Sequence, residues 1–267
     1  MNLEKIITLI IKIYIAIMFA FIFAPIVASF IFSFNSDRFP SVPLGEFSLK
    51  WYKTIYYDAD IWDALFVSVT TSLSAAIIST FIGFCTAYTD YRFKFFGKNS
   101  YLALALLPPT IPLVIMGLAM LAWLSQIGMS GRWYSIIIAH VVLCSPFAMA
   151  LIRLRLAQMD PSIEAAAWNL GASEVRAMRE IIFPFTGPTI ISALCLTAAV
   201  SFDEFAVAWF VAGLNKTIPV VILEVLQGQV DPQINAIGTF VFITSMTLVI
   251  ISQFLFMSRR KNGGHDG

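Results

Sequence analysis

The sequence predicts an all-α integral membrane protein with six transmembrane helices, and three observations carry that expectation. Hydrophobic residues fill 59% of the 267 positions and charged residues only 12%, with a mean hydropathy of +0.83; a soluble domain carries about 25% charged residues. The apolar residues collect into six runs, roughly 7–34, 62–89, 101–125, 133–156, 185–213 and 234–257. Each reaches the ~20 residues that cross a bilayer core at ~1.5 Å per residue. Third, the cations are unevenly distributed. With the N-terminus inside, twelve of the 17 Lys and Arg face the cytoplasm: Lys5, Lys12, Arg92, Lys94, Lys98, Arg153, Arg155, Arg176, Arg179, Arg259, Arg260 and Lys261. Arg38, Lys50, Lys53, Arg132 and Lys216 fall outside. Cytoplasmic loops carry such an excess, so both termini are expected in the cytoplasm.

The same composition excludes several classes. A net charge of +1 leaves no basic surplus to neutralise phosphates, so nucleic acid is not an expected partner. Cys85, Cys144 and Cys195 stand singly inside apolar runs and are read as small buried packing residues. With two histidines, one of them in the tail, no metal-ligand set is available. No G-x-x-x-x-G-K-[ST] loop is present to cradle ATP, so no cofactor is expected and any hydrolysis must occur on another protein.

The first run follows a basic start, but it is too long for a signal-peptide apolar region and lacks a convincing cleavage site; an uncleaved span is expected. Residues 1–61 comprise this span and an outer loop. In that loop Trp51, Tyr52, Tyr56 and Tyr57 interleave with Asp37, Arg38, Glu46, Lys50, Lys53, Asp58 and Asp60, a composition suited to a membrane interface. Residues 62–258 hold the remaining five spans, and 259–267, RRKNGGHDG, form a flexible cytoplasmic tail.

The third span contains Pro108, Pro109 and Pro112. Proline removes an N–H donor and clashes with the preceding turn, so the helix is interrupted there and is expected to face the bundle interior, where broken backbone is tolerated. In the fourth span His140 is the lone imidazole within hydrocarbon; a hydrogen-bonded packing role and a functional one both remain open. Arg153 and Arg155 close that span.

Between Leu156 and Pro184 the chain turns polar but carries folding signals. Asp160 can cap a first helical turn and Pro161 fits its first position. Ile163, Ala166, Ala167 and Leu170 then recur at i, i+3, i+4 and i+7, giving one apolar face, and Gly171 supplies a left-handed stop. Ser173 can cap a second helix running toward Pro184. This cytoplasmic loop, residues 157–184, is a folded element with the look of a docking knob.

The fifth span holds Asp203 and Glu204. Intramembrane acids are functional candidates by default. Counted from Gly187, Asp203 lies about 24 Å along a continuous helix, in the outer half of the bilayer. Adjacent side chains diverge by about 100°, so one acid is expected to face a cavity and the other a neighbouring helix or subunit, with Phe202, Phe205 and Trp209 on a partly shared aromatic face. After it, residues 215–228 read as a short amphipathic helix ending at Gly228, and Asp231–Pro232 as the cap of the last span.

The 157–184 loop resembles the pattern E-A-A, three residues, G, nine residues, I, any residue, L, P of permease subunits of binding-protein-dependent ABC importers. Ala166, Ala167, Gly171, Ile181 and Pro184 keep the spacing, Phe183 stands for leucine, Ala165 occupies the glutamate position and Glu164 lies one residue early. Trp51–Tyr52 before the second span, the Pro108–Gly117 region, His140 and Phe147 with six residues between them, S-F-D-E-F at 201–205 followed by Trp209–Phe210, and 230–239, VDPQINAIGT, resemble the spermidine/putrescine (polyamine) type, second-permease subgroup. The resemblance covers about Trp51–Ser258.

It implies the type I importer permease (MetI-like) fold with a five-helix core in the inner (cytoplasmic) membrane, half of a translocation pathway completed by a second permease subunit. It also implies an ABC ATPase dimer and a periplasmic or lipid-anchored substrate-binding protein, besides the membrane lipid. The coupling residues so implied are Ile163, Glu164, Ala166, Ala167, Leu170 and Gly171; the pathway candidates are Asp203, Glu204, Phe202, Phe205, Trp209 and His140. Competing readings are the same importer class for an opine or aminophosphonate, and a proton-coupled secondary transporter using Asp203 or Glu204. Inverted repeats would support the latter, and none is visible. No nucleophile, base and orienting group assemble into an enzyme.

Overall fold

The structure, a computed structural model, describes residues 3–37, 44–228, 233–243 and 246–247. Its helices are α1 (Leu3–Phe32), α2 (Lys50–Tyr57), α3 (Ala59–Arg92), α4 (Lys98–Leu106), α5 (Leu113–Gln126), α6 (Trp133–Leu156), α7 (Pro161–Asn169), α8 (Glu174–Ala177), α9 (Phe183–Asp203), α10 (Ala206–Val211) and α11 (Ile218–Gly228). A further helix, α12, covers Gln233–Ile243. Among the described residues four helical stretches are long and apolar enough to cross a membrane: Glu4–Phe32, Ala59–Arg92, Trp133–Leu156 and Glu174–Asp203. The remainder of the expected sixth span to 257, the tail 259–267, Arg38 and the Asp231–Pro232 cap lie outside the described residues.

The chain divides into two compact units, 1–61 with 222–267, and 62–221. In the first, none of the apolar stretch of α1 is buried. Its end is tied to the segment that follows it. Asn35 and Phe47 form a single antiparallel bridge, the Trp51 indole N–H donates to the Asn35 carbonyl at 2.8 Å, and Tyr52 Oη meets Ser33 Oγ at 2.7 Å. The interfacial aromatics thus divide. Trp51 and Ile55 are buried, while Tyr56 and Tyr57 stay exposed.

The second unit has two apolar clusters. Leu124 from α5, Ile136, Ala139 and Leu143 from α6, and Val207, Ala208 and Val211 from α10 form one. Phe84 and Ala87 from α3, Ala148, Met149 and Ile152 from α6, and Ile182 with Ala193 form the other. α6 serves both and is the central helix. Small residues permit the close approaches that membrane helices favour. A β-carbon at Gly83 would lie 2.6 Å from the Met149 amide nitrogen and 2.7 Å from Ala148 Cβ, and one at Gly117 would lie 2.5 Å from the Phe210 ring. Gly83→Val should therefore push α3 from α6 and destabilise the unit by about 1–3 kcal/mol. Thermal melting of the detergent-solubilised protein checks this; an unchanged midpoint contradicts the packing.

Three local expectations are modified. The third span is broken as predicted, but into three pieces: α4 stops at Leu106, a 3₁₀ turn covers Pro108–Thr110, and α5 restarts after Pro112. Only Met116, Gly117 and Leu124 of α5 are fully buried and none of α4 is, so this span turns one face inward and not its whole circumference. Secondly, no separate second loop helix ends at Pro184. A π-turn over Met178–Ile182 joins α8 to α9, the Phe183 N–H reaching back to the Met178 carbonyl. The wider turn absorbs the N–H that Pro184 lacks, and helix continues from Glu174 to Asp203. Thirdly, Cys144 is buried and Cys195 half-buried, but Cys85 is exposed. It points away from the α3 face that Phe84, Ala87 and Tyr88 turn to the core.

Candidate functional site

At the loop end of the second unit, α7 folds as its residues dictate. Asp160 Oδ1 accepts from the Ser162 N–H at 2.9 Å, a bond that holds its carboxyl below the usual carboxylate range. Gly171 has φ +85°. The Ala172 N–H bonds the Ala167 carbonyl at 3.0 Å and the Gly171 N–H bonds the Trp168 carbonyl at 2.9 Å, the paired bonds of a glycine-terminated helix end. Ser173 then caps α8 through the Arg176 N–H at 3.3 Å. Ile163, Ala166 and Leu170 are exposed and Ala167 is half-buried. Leu170, 89% exposed, is matched by Val175 at 78% beyond the turn, so the predicted apolar face exists and continues onto α8.

Glu164 does not belong to that face. It is buried, and its Oε1 lies 3.6 Å from Arg92 Nε at the end of α3. The one-residue displacement turns this carboxylate about 100° around the helix axis, onto the side that packs on the permease itself. Arg92 also stacks over the Trp168 ring at 4.0 Å and approaches Glu174 Oε1 at 3.9 Å. Sequence reasoning counted Arg92 only as a cytoplasmic cation. The available signal was the i, i+4 spacing of Glu164 and Trp168, which places an anion and an aromatic ring on one helix face. A second ionic cluster lies nearby in the chain: buried Asp90 pairs with Arg153 Nε at 2.6 Å and Lys98 Nζ at 3.1 Å, tying the ends of α3, α4 and α6.

At the other end, Asp203 and Glu204 have been separated by a helix break and not by rotation on one continuous helix. α9 ends at Asp203, Glu204 is extended at φ −75° and ψ 115°, and α10 starts at Ala206. Glu204 is buried, and its Oε1 accepts the Val207 N–H at 2.9 Å, so it supplies the acceptor that a first helical turn lacks. Asp203 is exposed. Among the described residues no cation pairs with it. Phe205 and Trp209, four apart across the start of α10, are exposed at 46% and 36%, whereas Phe202 is half-buried. The aromatic face therefore belongs to Phe205 and Trp209, beyond the break.

His140 is fully buried, with Nδ1 2.8 Å from Ser201 Oγ. This polar contact joins α6 to α9 two residues before Asp203, and Thr80 with Thr197, at 3.4 Å between hydroxyls, joins α3 to α9. Through the Ser201 contact the imidazole tethers α6 to α9. Among the described residues no group of His, Cys, Asp and Glu could hold a metal ion.

Residues 79–260 match the model of the binding-protein-dependent transport system inner membrane component; the chain belongs to this family of multi-pass inner-membrane permeases, which are transport subunits. Within it, the chain is 33% identical over 231 residues, 86% of its length and 88% of the relative's, to the spermidine/putrescine transport system permease protein PotC of Haemophilus influenzae. It is 32% identical to the putrescine transport system permease protein PotI of Escherichia coli K12, covering 79% of this chain and 78% of that one. The fold is that of a chain from a bacterial ABC transporter involved in the import of the acidic polysaccharide alginate, with a TM-score of 0.77 over 96% of both chains at 16% identity.

Proposed function

We propose that this chain is the transmembrane permease subunit of an ATP-driven importer for polyamines, spermidine or putrescine. It forms half of the pathway with a second permease subunit, receives ligand from a periplasmic or lipid-anchored binding protein, and docks on an ABC ATPase dimer through α7 and α8. The likeness to permeases named for spermidine and putrescine, over more than three-quarters of each chain, carries the substrate reading. An exposed Asp203 followed in the chain by the exposed rings of Phe205 and Trp209 supports it, because a polyamine presents ammonium groups separated by methylenes, and carboxylate and ring faces suit both. The excess of Lys and Arg on one set of loops supports cytoplasmic N- and C-termini.

Mechanistically, closure of the ATPase pair would displace α7, and the continuous Glu174–Asp203 helix would carry that displacement to the break at Glu204. Such coupling requires contacts that differ between two states. The domain reading follows: residues 1–61 as an N-terminal span and outer loop, 62–258 as the permease core, and 259–267 as the tail.

The test is uptake of radiolabelled putrescine and spermidine into proteoliposomes holding the complete complex. Uptake is expected to require ATP and the binding protein and to survive a protonophore. Uptake by the isolated chain that collapses with a protonophore establishes the secondary transporter in its place, and uptake of an opine or aminophosphonate in preference to both polyamines reassigns the substrate.

A further inference from the structure

The apolar face of α7 is one side of a short helix whose other side meets the end of α3, where Arg92 makes three contacts. Glu164 and Trp168 share that inner side, about 150° around the axis from the Ile163, Ala166 and Leu170 stripe. The guanidinium of Arg92 meets the carboxylate of Glu164 with Nε at 3.6 Å, the ring of Trp168 with Cζ at 4.0 Å and the carboxylate of Glu174 with Nη2 at 3.9 Å. The Glu164 side chain is only 6% exposed and that of Arg92 27%, so water competes weakly at the first pair. Only arginine fits all three contacts, since a planar guanidinium can lie on a ring while its edge faces carboxylates. Glu174 opens α8, so the same cation spans both sides of the Gly171 turn.

We propose that Arg92 is a positioning residue that locks α7 and α8 to the cytoplasmic end of α3, so that a push on the docking face moves α3 together with α9. The lock deepens the docking reading. The chain itself joins the α7–α8 knob to the bundle at the α6–α7 turn and along the α8–α9 helix, and neither route leads to α3. Through Arg92, force reaches α3, whose Phe84 and Ala87 pack in the same cluster as Met149 and Ile152 of α6.

The experiment uses the complete complex with the three native cysteines replaced and spin labels at Phe93→Cys and Asn169→Cys, both exposed positions. The parent should give one narrow distance between α3 and α7, unchanged on ATP binding. In Arg92→Ala the distribution should widen about two-fold or shift on ATP binding, and substrate moved per ATP hydrolysed should fall about five-fold. A purely structural loss lowers transport and hydrolysis together and leaves that ratio unchanged. An unaltered distance distribution, or an unaltered ratio, in Arg92→Ala overturns the lock. If Arg92→Ala does not assemble, Glu164→Gln removes the charge at constant shape and is read on the same two scales. Failure of the ATPase to co-purify with the parent permease removes the docking reading alone, because the label pair in the isolated permease still reports whether Arg92 holds α7.

Discussion

Gly171→Val is expected to leave the permease inserted and its transmembrane bundle packed while transport per ATP hydrolysed falls about ten-fold, the effect of ~1.4 kcal/mol on an equilibrium. The glycine stands at φ +85°, where a β-carbon costs about 1–2 kcal/mol and a β-branched side chain fares worst. No atom lies within 4 Å of the β-carbon position, so the penalty is backbone strain and not collision. Relief of that strain rotates the turn, and the turn sets the angle between the Leu170 and Val175 parts of the exposed apolar face. The same openness makes Gly171→Asn informative, because asparagine tolerates left-handed backbone and should retain most of the coupling. Substrate uptake and phosphate release measured on the same proteoliposomes decide the matter. A Gly171→Val complex with the parental ratio of transport to hydrolysis would show that this turn does not orient the docking face.

How far the sequence revealed this molecule depended on whether the signal was local. The α7 start at Asp160, its stop at Gly171 and the α8 cap at Ser173 are all written in residues a few positions apart, and each forms as read. The proline break in the third span is equally local. The sixth segment and the tail rest on composition alone. Longer-range features were hidden. Pro184 read as a helix end, because the π-turn that accommodates it depends on five residues before it and on the packing of Ile182. The break at Glu204 carries no proline or glycine; it exists because a buried carboxylate takes the Val207 N–H that a continuous helix would have given to the Asp203 carbonyl. Arg92 meets Glu164 only once α3 and α7 are brought together, across 72 positions of sequence; the i, i+4 spacing of Glu164 and Trp168 marks the α7 face but not the partner it meets.

Asp203→Asn is the substitution expected to lower polyamine uptake most, by about ten-fold, with complex assembly and the binding protein's affinity unchanged. Asp203 ends α9 with its side chain exposed, whereas Glu204 is buried and occupied by the Val207 N–H. That difference assigns the two acids different tests. Asparagine at 203 keeps size and removes the charge that would replace water around a passing ammonium group, and Asp203→Glu should keep much of the uptake because it keeps the charge. Glutamine at 204 retains an oxygen for the Val207 N–H and should be close to neutral. Glu204→Ala leaves that amide unpaired in a buried position, at a cost of about 1–3 kcal/mol, and should lower thermal stability before it lowers the affinity for substrate. On the proposed polyamine reading Phe205 and Trp209 would supply the ring faces, so Trp209→Leu should weaken uptake of spermidine and putrescine alike. Concentration dependence of uptake for Asp203→Asn, Glu204→Gln and Glu204→Ala, alongside their melting midpoints, separates the roles. Parental uptake in Asp203→Asn together with loss in Glu204→Gln reverses the assignment; parental uptake in both removes the α9–α10 break from the polyamine pathway.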